Sequence, residues 1–391
     1  MNCACAGENP WAILCAGEGI MTALEIGETF GIPGTPAFLD ARKFNRHTFW
    51  CGQSGSGKTY ALGVVLEQLL LETELPILIL DPNADFVRIH EPRPGAPADV
   101  ARRWSEVDSR VFRSGAASTA PLHVRYLDLS PAAKAAVLRI DPIADAEEYN
   151  ALLHFEGDAA TFDGPRMVAT LRSSGDAAQA RLANRIENLQ VLEWDLWSRG
   201  DASVTDVIAE RPRATVLDIG GFDHPDESRV AALAVIERLW AERESRKPLL
   251  IVIDEAHNLA SPEVQTAVER ELLARLTQIA AEGRKFGLWL FLSTQRPTKI
   301  HPNILSQCDN LGLMRVNAPR DLAEIAAVFG FAPEILVEKA QEFRQGQALF
   351  AGGFIDQPTV IQMGERLSEE AGGDVRVPLK LAAQLRPPHR A

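Results

Sequence analysis

Nowhere in its 391 residues does the chain hold an apolar run of about 18 residues, so no segment is expected to cross a membrane as a helix. Its first residues lack the basic start and apolar stretch of a secretory signal. A cytoplasmic protein without membrane insertion is therefore expected. Cysteine is scarce and odd in number (Cys3, Cys5, Cys15, Cys51, Cys308), which excludes a secreted disulfide framework. Cys3, Cys5 and Cys15 lack a fourth ligand at a zinc-like spacing, so no metal site is expected there. Internal repeats and low-complexity tracts are also absent, which sets solenoids aside. Positive charge is in deficit: 40 Lys and Arg against 53 Asp and Glu leave a net charge of −13. That excludes a protein that coats nucleic acid with its whole surface. The bases are nevertheless clustered, with Arg284, Lys285, Arg296, Lys299, Arg315 and Arg320 sharing their stretch with a single acid, Asp309.

What is present is a folded-protein balance of 46% hydrophobic and 24% charged residues. Residues 1–45 alternate short apolar pieces with Gly and Pro and read as a strand-and-turn lead-in. Strands are expected at His47 to Cys51, Ile77 to Leu80, Ala214 to Ile219, Leu249 to Ile253, Leu288 to Leu292 and Leu311 to Val316. Helices are expected at Tyr60 to Glu72, Glu227 to Glu244 and Glu263 to Gly283. About 86–213 reads as a mostly helical insertion, with a stretch such as Ala178 to Trp197 inside a unit spanning 46–373. A basic arm, 374–391, is expected to follow. Strands alternating with helices predict an α/β protein with a mostly parallel sheet covered on both faces.

Three motifs carry chemistry. Gly52, Gln53, Ser54, Gly55, Ser56, Gly57, Lys58 and Thr59 match the phosphate-loop pattern at every fixed position, between a predicted strand and a predicted helix. Glycines let the backbone wrap phosphates, Lys58 would reach the β and γ phosphates, and the Thr59 hydroxyl would bind Mg2+. Asp254 and Glu255 end the apolar strand from Leu249. Asp254 would hold Mg2+ through water, and Glu255 would orient and deprotonate the attacking water; two acids beside phosphates repel unless a cation lies between them. Ser293, Thr294 and Gln295 follow the next strand, where the Gln295 amide could bond both that water and a phosphate oxygen. Together these read as an ATPase site.

Arg284, in Gly283-Arg284-Lys285-Phe286-Gly287, has two readings. It is either an arginine finger supplied to a neighbouring subunit or a cation that satisfies the last carbonyls of a helix stopped by glycine. Arg296 and Lys299 likewise either track a DNA backbone or remain solvated or paired with acids of the next subunit.

These segments, together with Asp81-Pro82-Asn83-Ala84-Asp85-Phe86, Leu217-Asp218-Ile219-Gly220-Gly221 and Asp254-Glu255-Ala256-His257-Asn258-Leu259, resemble the HerA branch of the HerA and FtsK superfamily over roughly 46–365. The resemblance implies a RecA-like P-loop NTPase core, hexameric rings, ATP hydrolysis at subunit boundaries and movement along double-stranded DNA. It also implies Lys58 and Thr59 for nucleotide and magnesium, Glu255 as base, Gln295 as sensor and Arg284 as a finger in trans. Two departures stand out. About fifty residues precede the phosphate loop, a short lead-in where the family carries a full β-barrel, and Asp81 to Phe86 replaces the usual Asp-Pro-His-Gly-Glu-Tyr. The leading expectation is a DNA translocase or helicase working with a nuclease. The alternative is a ring that scaffolds or regulates an antiviral defence effector, which the short lead-in favours. A conjugation or secretion motor is a third possibility.

Overall fold

The computed structural model describes residues 23–115, 118–157, 163–200 and 202–371. Cys3, Cys5, Cys15 and the basic arm 374–391 lie outside them.

Eleven strands form one sheet: β1 (Ala23–Thr29), β2 (Pro36–Asp40), β3 (His47–Cys51), β4 (Ile77–Asp81), β5 (Ser109–Arg113), β6 (Ala214–Asp218), β7 (Leu249–Ile253), β8 (Leu288–Thr294), β9 (Cys308–Leu313), β10 (Gln347–Gly352) and β11 (Thr359–Met363). Their spatial order is β2-β1-β11-β10-β9-β3-β8-β7-β4-β6-β5. From β9 to β5 every pairing is parallel, whereas β10, β11, β1 and β2 add antiparallel strands beyond β9. The lead-in hairpin thus continues the main sheet and, among the described residues, closes no barrel.

The central strands are buried throughout because both their faces are covered. All five residues of β3, β4, β6 and β7 are buried. On one face lies α1 (Lys58–Glu72), whose Leu62, Val65, Leu66 and Leu69 are fully buried against Ile77, Ile79 and Val252 of the sheet. The stretch between β4 and β6 carries α2 (Ala98–Ser105), α3 (Pro131–Val137), α4 (Ala146–Leu153), α5 (Gly164–Ser173), α6 (Ala177–Leu189) and α7 (Val204–Glu210). It also contains the edge strand β5, which the sequence reading did not expect. Ser109-Arg110-Val111-Phe112-Arg113 is short and charged, and its pairing with β6 selects the extended form.

The opposite face is covered by α8 (Pro225–Ala241) and α9 (Ala267–Glu282). Each opens on a capping box, His224 with Glu227 and Thr266 with Glu269, which satisfies helix N–H groups that have no partner within the helix. Between β8 and β10 lie α10 (Pro302–Leu305), α11 (Pro319–Val328) and α12 (Glu334–Glu338), with β9 among them. No helix of the described residues is long and apolar enough to cross a membrane.

Candidate nucleotide site

Parallel pairing brings the carboxyl ends of β3, β4, β7, β8 and β9 to one edge of the sheet, where α/β folds bind ligands. Each of these ends carries a sequence-predicted group or its neighbour. After β3 the loop turns through Gly55 at φ 74° and Gly57 at φ 88°, left-handed values that a side chain would resist. The N–H groups of Gly52, Gln53 and Ser56 are taken by protein carbonyls: Thr294 at 3.3 Å, Arg315 at 2.9 Å and Gln53 at 3.1 Å. These three residues shape the loop rather than offering amides. Ser54, Gly55, Gly57, Lys58 and Thr59 have amides with no acceptor among the described residues. Five free donors beside a helix N-terminus make a cradle for an anion. A cleft of about 630 Å³ opens over it, lined by Gly57, Lys58, Thr59, Tyr60, Gln295 and Gln345.

Lys58, almost wholly buried, donates to Asp254 Oδ1 at 2.7 Å and to Ser293 Oγ at 2.9 Å, and its Nζ lies 3.4 Å from Glu255 Oε1. Burial alone would lower the Lys58 pKa, but Asp254 and Glu255 outweigh it and raise the value. The ammonium is therefore held charged with no phosphate present. Ser293 donates to Asp254 Oδ1 at 2.6 Å and so closes a three-residue cluster with Lys58, a role that the motif, which names Ser293, did not give it.

Glu255 sits at φ 43° and ψ 47°, a left-handed conformation uncommon outside glycine, and such strain concentrates at functional sites. Gln295 donates to its Oε1 at 2.7 Å. Its Oε2 is buried without a hydrogen-bond partner, with His257 Nδ1 3.3 Å away. Burial would raise the Glu255 pKa, but His257, Lys58 and Gln295 bring it down to about 2. His257 also approaches Thr294 Oγ1 at 3.1 Å, which fixes its ring and makes it a second contributor that the sequence reading had not singled out.

A cation site is consistent with these residues. Asp254 Oδ2 is buried with no partner, and one oxygen each of Asp81, Asp85 and Asp254 lies within 4.8 Å of the others. Asp81 already accepts N–H groups of Asn83, Asp85 and Phe86 at 3.2, 3.1 and 2.8 Å. Burial pushes Asp81 up to about 7, and burial with the neighbouring Asp254 charge pushes Asp85 up to about 6. Grouped hard oxygens whose ionised forms are disfavoured alone are what a divalent cation relieves. Asp254, with its unpartnered Oδ2, could therefore hold a divalent cation beside the loop.

Arg284 lies elsewhere. It belongs to a 3-10 turn, Gly283–Phe286, ahead of β8, whereas Gln295 follows the far end of that strand. A seven-residue strand spans about 23 Å, so Arg284 cannot reach its own loop. Nor does it cap α9: the helix runs on into the turn, which Gly287 ends at φ 79°, and the Arg284 guanidinium pairs with Asp309. Arg46 shares that carboxylate at 3.5 Å. In the loop after β8, Lys299 pairs with Glu263 of its own chain at 2.6 Å, while Arg296 is exposed with no carboxylate partner among the described residues.

The family described as "Helicase HerA, central domain" matches residues 24–239. The chain is 28% identical over 169 residues to the DNA double-strand break repair helicase HerA of Sulfolobus acidocaldarius, covering 40% of this chain and 33% of that one. It is 22% identical over 387 residues to the protein of the same description from Pyrococcus furiosus, covering 87% and 69%. The match to the Sulfolobus protein thus spans about a third of that relative's length. Among solved structures, VirB4 of Thermoanaerobacter pseudethanolicus aligns with a TM-score of 0.58 at 16% identity, covering 89% of this chain and 98% of that one. The plasmid coupling protein TrwB in complex with ADP and Mg2+ aligns at 0.57 and 13%, covering 89% and 92%. At these identities the structures speak for the fold alone, a RecA-like P-loop NTPase core. With more than half its length matched, the chain belongs to the HerA central-domain family.

Proposed function

We propose that this chain hydrolyses ATP in a homo-oligomeric ring, six subunits by family resemblance, and that the ring moves along double-stranded DNA. The observation that carries the reading is the free-amide cradle with Lys58, Asp254, Glu255 and Gln295 gathered at its mouth. ATP would lay its phosphates on the amides of Ser54, Gly55, Gly57, Lys58 and Thr59. Lys58, now paired with Asp254, would turn to the β and γ phosphates. Mg2+, held by Thr59 and Asp254, neutralises phosphate charge when bound. Glu255, anchored on Oε1 by Gln295, would take the proton of the attacking water on its free Oε2 as that water's oxygen bonds to the γ phosphorus. The bond to the β–γ bridging oxygen breaks, and ADP leaves.

Arg284 is assigned to the neighbour's site, because its place at the far end of β8 bars it from its own. Arg296, exposed and without a carboxylate partner, is the preferred DNA contact, with Lys299 beside it once released from Glu263. A nuclease or another effector protein is the proposed working partner.

The test is the ATPase rate of purified protein with and without duplex DNA, read beside its mass in solution. Lys58→Ala should weaken ATP binding and abolish turnover. Glu255→Gln should keep ATP bound while turnover falls at least about 100-fold, the scale of a lost general base. Near-normal turnover in Glu255→Gln would remove Glu255 from the role of base. A ring indifferent to DNA but stimulated by a co-encoded protein would replace the translocase with an effector scaffold.

A further inference from the structure

The phosphate loop has a second cation on its other side. Lys58 stands between the loop and the acids after β7, and its charge is compensated by Asp254 and Glu255. Arg315 stands where β9 ends, on the flank of β3 away from β8. Its carbonyl accepts the Gln53 N–H at 2.9 Å, and its Nη2 donates to the Gly55 carbonyl at 3.2 Å. A Cβ built on Gly55 would lie 3.8 Å from that same Nη2. No carboxylate pairs with Arg315 among the described residues, and its Nε is buried without a hydrogen-bond partner. The Ser54 and Gly55 amides beside it are among those left free. A partly buried guanidinium without a carboxylate partner, next to free loop amides, fits an anion. A planar guanidinium fits phosphate oxygens through two parallel hydrogen bonds.

We infer that Arg315 contacts the γ phosphate of the nucleotide bound to its own chain, and so distinguishes triphosphate from diphosphate. The loop segment before Gly57 flanks the outer phosphates, and Lys58 approaches them from the opposite side. The contact is in cis, because both bonds that hold Arg315 are made to its own loop. Arg284, tied to Asp309 at the far end of the sheet, cannot substitute for it within one chain. The inference rests on the proposed ATP site.

The experiment compares binding of a non-hydrolysable ATP analogue and of ADP, each with Mg2+, to the full chain and to Arg315→Ala, Arg315→Lys and Lys58→Ala. Arg315→Ala should weaken the ATP analogue about 10- to 100-fold, the scale of a lost charge-assisted hydrogen bond, while ADP affinity changes less than about threefold. Arg315→Lys should recover part of the loss. If Arg315 only clips the loop through Gly55, both nucleotides weaken together, and the inference is overturned. It is equally overturned if neither weakens. Should Lys58→Ala also leave both affinities unchanged, it is the underlying nucleotide site that fails, a result separate from the other two. A thermal unfolding midpoint measured on each variant shows that the proteins compared are folded; if Arg315→Ala is not, Arg315→Lys decides, by losing the ATP analogue selectively or not at all.

Discussion

His47 shows how a single buried side chain ties sequence to stability. It is fully buried at the start of β3, where its Nδ1 accepts the Leu290 N–H at 2.9 Å, so Nε2 carries the proton donated to the Ala280 carbonyl at 3.0 Å. Burial, then the nearby Arg284 charge, lowers its pKa to about 4. An unfolded histidine titrates near 6.5, so between these values the unfolded chain binds a proton that the folded chain refuses. Stability is therefore lost as pH falls from 6.5 towards 4. Between pH 7.5 and pH 5 this one group should cost about 2 kcal/mol. Urea unfolding of the wild type and His47→Asn at both pH values checks it: the variant, less stable at neutral pH, should lose about that much less on acidification. An equal loss in both would show that His47 takes up its proton without unfolding.

At the scale of elements, the segment after β11 straps α1 to the loop that follows β4. Glu67 of α1 is buried and accepts from Arg366 Nε at 3.2 Å, from the N–H groups of Leu367 and Ser368 at 2.6 and 3.0 Å, and from Ser368 Oγ at 2.5 Å. Glu369 N–H then bonds the Glu91 carbonyl at 2.7 Å. The Arg366 guanidinium lies over the Phe86 ring, 5.4 Å from its centroid, and fits because Gly63 has no side chain. A Cβ there would come within 2.7 Å of Arg366 Nε. By helix propensity Gly63→Ala should stabilise α1 by about 1 kcal/mol. The contact reverses the sign, and a net loss of roughly 1–3 kcal/mol is expected, as in other overpacked cores. In an Arg366→Ala background the penalty should vanish. Denaturant midpoints of the four proteins close this cycle, and a Gly63→Ala cost that persists without Arg366 would show that the clash lies elsewhere.

For the whole molecule the proposed ring turns on a residue pair that no single chain brings together. Glu255 lies at the carboxyl edge of the sheet and Arg284 at the opposite end, so a shared catalytic site needs two copies. Arg284→Ala should leave ATP binding largely intact while turnover falls about a thousandfold, the lower range for a trans arginine. Mixed with Glu255→Gln protein, it should regain activity at interfaces where one subunit supplies wild-type Glu255 and its neighbour wild-type Arg284. No recovery in mixtures whose subunits demonstrably exchange would return Arg284 to a structural ion pair with Asp309.

The local chemistry was legible in the sequence because it depends on short-range pattern: the fixed spacing of Gly52 to Thr59, and the apolar run that ends in Asp254 and Glu255. The same holds for β7, whose limits follow from an unbroken apolar run. What tertiary structure decided depends on partners far along the chain. Ser109 to Arg113 falls within the stretch read as a mostly helical insertion, and becomes a strand because β6 offers it an edge. Ser293 acquires meaning only when β8 sets its hydroxyl between Lys58 and Asp254, and Arg315 only when β9 pairs with β3 beside the loop. Arg284, open to two readings in sequence, was removed from the helix cap by Asp309, twenty-five residues on, whose carboxylate holds its guanidinium. Each of these outcomes is a contact between segments whose separation leaves no periodicity to read, and the sheet order alone brings them together.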